Sequence, residues 1–153
     1  YVNKHKLDLV EEILKNVDVI PNSIALAQAA IESGWGKSRF ATEYNALFGE
    51  YTYDSDEGVI PLQRDLGEKH LIKAFSSYDN SVSSYFENIN THPAYKDFRA
   101  VRNIMRSKNN FSNINLLVNN LHTYAENENY VNILKDVIKK NDFNKFDLKI
   151  ISY

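Results

Sequence analysis

The chain of 153 residues contains no cysteine, one methionine, one tryptophan and three prolines. Without cysteine there is no disulfide and no thiolate chemistry, a state compatible with an exported protein and with a cytosolic one. The four histidines are scattered and none is paired at metal-ligand spacing, so neither a metal nor a cofactor is expected. Neither sign of charge dominates: 18 Lys and Arg stand against 20 Asp and Glu. That balance offers no overall field for gripping nucleic acid or an anionic membrane. No apolar run approaches the ~20 residues of a bilayer span, and no charged start followed by a short apolar stretch marks a leader. The chain opens at Tyr1 and not at methionine, as a mature or trimmed form would, which leaves room for an export signal upstream.

What is present suffices for one core. At this length a hydrophobic content of 43% supports a single domain over residues 1–153 and is too little for two ordinary ones. Leu7, Val10, Ile13, Leu14 and Val17 recur at helical spacing, and Val19-Ile20-Pro21 ends that helix. A second helix is expected from Asn22 or Ser23, whose side chains are suited to capping its first amides, as far as Gly34. The stretch from Phe48 to Tyr53 alternates in character, the acidic turn Asp54-Ser55-Asp56-Glu57-Gly58 follows, and a second strand is expected from about His70 to Phe75. These features describe a small antiparallel β lobe inserted at about residues 47–76. Four helical stripes come afterwards: Val82, Tyr85, Phe86 and Ile89; Phe98, Val101 and Met105; Ile114, Leu117, Val118 and Leu121; and Tyr130, Ile133, Leu134, Val137 and Ile138. Pro93 suits the first turn of the second of these. The fold expected is therefore α+β and predominantly helical, with no internal repeat or low-complexity linker.

The second helix carries the best chemical signal. In Ala27-Gln28-Ala29-Ala30-Ile31-Glu32-Ser33-Gly34-Trp35-Gly36, Ile24, Ala27 and Ile31 form one apolar stripe, while Gln28 and Glu32 share another line one turn apart. Glu32 therefore need not point into the core. The carbonyl end of a helix disfavours negative charge, and Trp35 beside it can desolvate the group, so both effects favour the protonated acid. That is the state a general acid requires, although a glutamate near a helix end is more often a solvated surface residue.

Several separated blocks resemble one family. The segment from Ile20 to Ala41, centred on Ile31-Glu32-Ser33-Gly34-Trp35-Gly36, is followed by Asn45-Ala46-Leu47-Phe48-Gly49. Further along stand Phe75-Ser76-Ser77-Tyr78, Asn90-Thr91-His92-Pro93-Ala94-Tyr95, Leu121-His122-Thr123-Tyr124-Ala125 and Tyr130-Val131. In this order they are similar to the Bax-type bacterial proteins, which belong with the endo-β-N-acetylglucosaminidase domains of flagellar and autolysin peptidoglycan hydrolases in glycoside hydrolase family 73. The resemblance implies a lysozyme-like α+β fold in which a helix-borne glutamate faces a cleft beneath a β lobe. It implies a hydrolase that cuts the β-1,4 bond between N-acetylglucosamine and N-acetylmuramic acid, with Glu32 as proton donor. The substrate implied is peptidoglycan or a related N-acetylglucosamine-containing glycan, met by a monomer in the periplasm, outside the cell or at the wall.

The usual glycosidase scheme asks for a second carboxylate. Where relatives commonly carry a glutamate before the return strand, this chain has Gln63, followed by Arg64 and Asp65. Other lobe acids are Glu50, Asp54, Asp56, Glu57 and Glu68; of all these Asp65 and Glu57 are chosen as candidates, although charges in a hairpin turn usually serve solubility. The substrate's own acetamido group is the alternative nucleophile. Tyr124 corresponds to a tyrosine of the family's active site, where its hydroxyl could orient an acetamido group, or it could be a core residue. Gln28 and Asn45 are candidate hydrogen-bonding groups for the sugar, and Trp35, Phe48 and Tyr51 candidate platforms for its rings; packing competes with binding at Trp35 and Phe48. Arg99, Arg102 and Arg106 repeat at helical spacing, as a solvated face or as contacts to stem-peptide carboxylates. His92 is expected to help start a helix and His70 to pack at a strand. Three rivals remain: a lytic transglycosylase on a similar fold, a glycan-binding module without catalysis, and a helical interaction domain without a glycan ligand.

Overall fold

The structure, a computed structural model, describes residues 2–61, 67 and 69–147, with side chains omitted at residues 2–5 and 7. The chain forms two compact units, one comprising the residues up to Ala25 together with those from Glu87 onward, the other Leu26–Phe86.

In the first unit lie α1 (Val2–Asn16), the opening of α2 (Asn22–Glu32), the end of α4 (Tyr78–Thr91), α5 (Lys96–Ser107), α6 (Asn115–Val118) and α7 (Tyr130–Lys140). Its core is made by the stripes expected for the later helices: Phe98 and Met105 of α5, Leu117 and Val118 of α6, Leu134 and Ile138 of α7 are all buried. Pro93 opens a separate 3₁₀ turn (Pro93–Tyr95) ahead of α5, and His92 caps it, its Nδ1 accepting from the Ala94 amide at 3.2 Å. α1 forms as expected, but Val10, Ile13, Leu14 and Val17 of its apolar stripe are exposed.

Two features of this unit depart from the expected pattern. The amides at the start of α2 are capped from far along the chain: Asp147 accepts from the Ser23 amide and from its hydroxyl, each at 2.8 Å, while Asn22 Nδ2 donates to the Phe146 carbonyl at 2.8 Å. A carboxylate complements the positive end of the helix better than a local hydroxyl does. The arginines of α5 are neither a solvated face nor presented to a ligand. Arg102 is fully buried and donates to the carbonyls of Asn16 (3.4 Å), Asp18 (2.9 Å) and Val19 (3.3 Å) and to Asn90 Oδ1 (2.7 Å). It thereby satisfies carbonyls that the end of α1 leaves open, a task suited to a guanidinium with five donors. Arg99, also buried, donates to the carbonyls of Ile89 and His92 at 3.0 and 2.9 Å, and Arg106 forms an ion pair with Asp18.

Among the described residues, the second unit contains the end of α2, α3 (Arg39–Tyr44), three short strands and most of α4. β1 (Tyr51–Thr52), β2 (Gly58–Val59) and β3 (Leu71–Lys73) form one antiparallel sheet of order β1-β3-β2. Tyr51 pairs with Ile72 and Thr52 with Leu71; Gly58 pairs with Lys73 and Val59 with Ile72. The strands are shorter than expected from alternation, and β2 lies at the end of a segment read as a turn. Gly58 makes that pairing possible, because a Cβ there would stand 2.5 Å from Leu71 Cβ and 2.7 Å from Thr52 Cγ2.

Candidate active site

Glu32 is the last residue of α2, and the turn that follows holds it in place. Gly34 adopts the left-handed conformation (φ +57°), its amide donates to the Ile31 carbonyl at 3.3 Å and the Trp35 amide to the Ala30 carbonyl at 2.7 Å. This is the paired closure by which helices stop at glycine. Ser33 Oγ tightens the turn by accepting from the Gly36 amide at 2.8 Å. Trp35 itself is left-handed (φ +60°), an arrangement costing a non-glycine residue about 1–2 kcal/mol, and the residue is 56% exposed. A bulky aromatic held in a strained backbone and turned largely to solvent is a feature of sites where geometry serves function.

The half-buried Glu32 carboxyl lies against the loop between α3 and β1: a Cβ built on Gly49 (φ +62°) would stand 3.7 Å from Glu32 Oε2. That loop is fastened on several sides. Asn45 Nδ2 donates to the Phe75 carbonyl at 3.0 Å, the Leu47 amide donates to Ser81 Oγ at 3.1 Å, and Ser84 Oγ donates to Glu50 Oε2 at 2.9 Å. One turn before Glu32, the fully buried Gln28 accepts through Oε1 from the Tyr85 hydroxyl at 2.7 Å. Phe48 stacks on the same tyrosine, ring centres 4.0 Å apart. Glu32 thus sits where α2, the Gly49 turn and the Ser81-Ser84-Tyr85 face of α4 are tied together.

The structure separates the residues chosen from sequence. Gln28 and Phe48 are closed to solvent and both meet Tyr85. The Asn45 amide is engaged with the Phe75 carbonyl. Trp35 and Tyr51 are exposed, Tyr51 by 60% and with its ring stacked on His70 at 4.1 Å. Glu57 stands in the exposed turn before β2, with Lys73 Nζ 3.7 Å from its carboxylate. Asp65, like Gln63, Arg64 and Glu68, lies outside the described residues. In the other unit, Tyr124 is half-buried and stacks on Tyr130, ring centres 5.7 Å apart. Sequence reasoning passed over Ser81, Ser84 and the hydroxyl of Tyr85; the available signal was two serines at i and i+3 beside an otherwise apolar stripe.

Comparison with known proteins places this arrangement. Residues 7–143 match the family Glucosaminidase, described as mannosyl-glycoprotein endo-beta-N-acetylglucosaminidase. The chain is 36% identical to Protein bax of Escherichia coli K12 over 123 residues, which cover 80% of this chain and 43% of that protein. It is 30% identical to the peptidoglycan hydrolase FlgJ of the same strain over 103 residues, 59% of this chain and 33% of the relative. The chain therefore spans less than half the length of these curated relatives. Among solved structures, the catalytic domain of the autolysin Auto from Listeria monocytogenes superposes with a TM-score of 0.64 at 17% identity, covering 90% of this chain and 80% of that one. A peptidoglycan hydrolase from Sphingomonas sp. A1 gives 0.58 at 21% identity, covering 88% and 83%. These likenesses show that the fold, mostly helical with a small antiparallel sheet, is shared. The match over most of its length shows that the chain belongs to the glucosaminidase family.

Proposed function

We propose that this chain is a peptidoglycan hydrolase, a glycoside hydrolase that cuts the β-1,4 bond between N-acetylglucosamine and the following N-acetylmuramic acid, with Glu32 as proton donor. The observation that carries the reading is the placement of the Glu32 carboxyl at the carbonyl end of α2, half-buried against Gly49. The negative end of the helix dipole and partial loss of water both favour the neutral acid. A sugar alkoxide is a poor leaving group; as the glycosidic C–O bond breaks, Glu32 delivers its proton to the departing oxygen, and a water oxygen finally takes that oxygen's place on the anomeric carbon, its proton restoring the Glu32 acid. Such a positioned acid contributes about 10²–10⁴-fold, or roughly 3–5 kcal/mol. Trp35 and Tyr51 offer the exposed flat faces on which sugar rings stack, while Gln28 and Phe48 are buried and both meet Tyr85. Tyr124 enters through the family resemblance, as a hydroxyl that orients the acetamido group. Relatives named as peptidoglycan hydrolases support the substrate class, and with it action in the periplasm or at the cell wall.

Digestion of purified peptidoglycan by the parent and by Glu32→Gln, followed by mass spectrometry of the new chain ends, tests this reading. Reducing N-acetylglucosamine ends from the parent alone are expected. Anhydro-muramic ends would mark a lytic transglycosylase instead, and binding without new ends a glycan-binding module.

A further inference from the structure

The described acids of the lobe are not alike. Asp54, Asp56 and Glu57 are exposed, as charges in a hairpin usually are. Glu50 is half-buried: its Oε1 is shielded from solvent and its Oε2 accepts from Ser84 Oγ at 2.9 Å. Removing a carboxylate from water is costly, and a loop residue needed here only for packing would be better served by an apolar side chain. Glu50 also follows directly on Gly49, the residue against which the Glu32 carboxyl lies. Its backbone is fixed too, since the Glu50 carbonyl accepts from the Lys73 amide at 2.8 Å.

We infer that Glu50 is a positioning residue for the proposed acid: its carboxylate, anchored by Ser84, holds Glu32 in the protonated form. The inference rests on the reading of Glu32 as proton donor. Two carboxyl groups on touching segments, partly withdrawn from water, do not both ionise easily, and the one that keeps its proton is the one that can deliver it. The negative end of α2 acts in the same direction on Glu32. Among the described residues, other charged and titratable groups of this unit have the following surroundings. α2 carries no further charged residue between Asn22 and Glu32. Lys37 is exposed in the turn beyond it. Arg39 donates to the Tyr44 hydroxyl and the Ile60 carbonyl and pairs with Glu43. Lys73 stands beside Glu57, His70 stacks on Tyr51, and the Tyr85 phenol donates to Gln28. Within the loop 45–50, against which the Glu32 carboxyl lies, Glu50 is the charged residue.

The test is a carbon-detected NMR titration of the Glu32 carboxyl in the parent, Glu50→Gln and Ser84→Ala, run beside the pH profile of peptidoglycan cleavage; the Glu32→Gln spectrum assigns the signal. In Glu50→Gln the Glu32 midpoint is expected to fall by about one pH unit or more, and the alkaline limb of kcat/KM to move down with it. Ser84→Ala moves both the same way by less, and Glu50→Asp restores part of the shift. An unmoved Glu32 midpoint in Glu50→Gln overturns the inference, as does a loss of rate that is uniform across pH. The titration needs no turnover, so it separates the two ideas: cleavage by Glu32→Gln at the parental rate removes the proton-donor role of Glu32 whatever Glu50 does to its midpoint.

Discussion

Replacing Arg102 by methionine keeps the bulk of a long side chain and removes every donor. Burial pushes the guanidinium down to about 10, so placing this charge in the interior is itself costly, and the surrounding oxygens must offset that cost. Asp18, Val19 and Asn16 contribute carbonyls and Asn90 a side-chain oxygen, at 2.7 to 3.4 Å. Without the donors each well-buried oxygen left short is worth about 1–3 kcal/mol, partly recovered where water can enter. Losing one partner of a buried polar cluster costs about 3–5 kcal/mol in comparable cases, and a value near 4 kcal/mol is expected here. For a chain of 153 residues that corresponds to a melting temperature lower by about 10 °C. Calorimetry and urea unfolding of Arg102→Met measure it, with Arg102→Lys as a second variant. Lysine brings one nitrogen in place of a planar fork and is expected to recover less than half of the loss. A loss below about 1 kcal/mol for Arg102→Met would refute the idea that this side chain closes the end of α1.

Three further outcomes follow from the second unit. Gly58→Ala puts a methyl 2.5 Å from Leu71 Cβ, so β2 should detach from β3, with faster amide exchange at Gly58 to Val59 and a stability loss of about 1–3 kcal/mol; normal exchange would contradict it. Tyr85→Phe removes the donor to buried Gln28 Oε1 and should cost about 1–3 kcal/mol in denaturant unfolding, whereas a neutral change would mean that this bond adds nothing. Trp35→Gly relieves the left-handed strain and should raise stability by about 1 kcal/mol while weakening glycan affinity; a gain in both, measured by melting and by KM, would remove Trp35 from the sugar platform.

Helix α2 and its stop were legible because both depend on near neighbours: a 3.6-residue stripe and a glycine free to turn left-handed at position 34. Its start at Asn22 was legible as well, but its capping group was not, since that carboxylate comes from Asp147, far along the chain. Arg102 misled for a related reason. On one helix it reads as part of a charged face, and its burial depends on carbonyls beyond α1 that meet it only after folding. The sheet was seen as two strands because Gly58 belongs to an acidic turn by composition, although its missing side chain is what admits a third. The same limit applies at the site. Glu32 could be picked out from its place on a helix, but Glu50 looked like its neighbours on the lobe until Ser84 and Gly49 set it apart.

The central claim is that Glu32 gives up a proton to the departing sugar oxygen. The direct measurement is kcat for peptidoglycan cleavage by the parent and by Glu32→Gln, with matched circular dichroism and melting to show that the variant is folded. The account predicts a fall of about 10²–10⁴-fold in kcat. A folded Glu32→Gln protein that turns over as fast as the parent would contradict it.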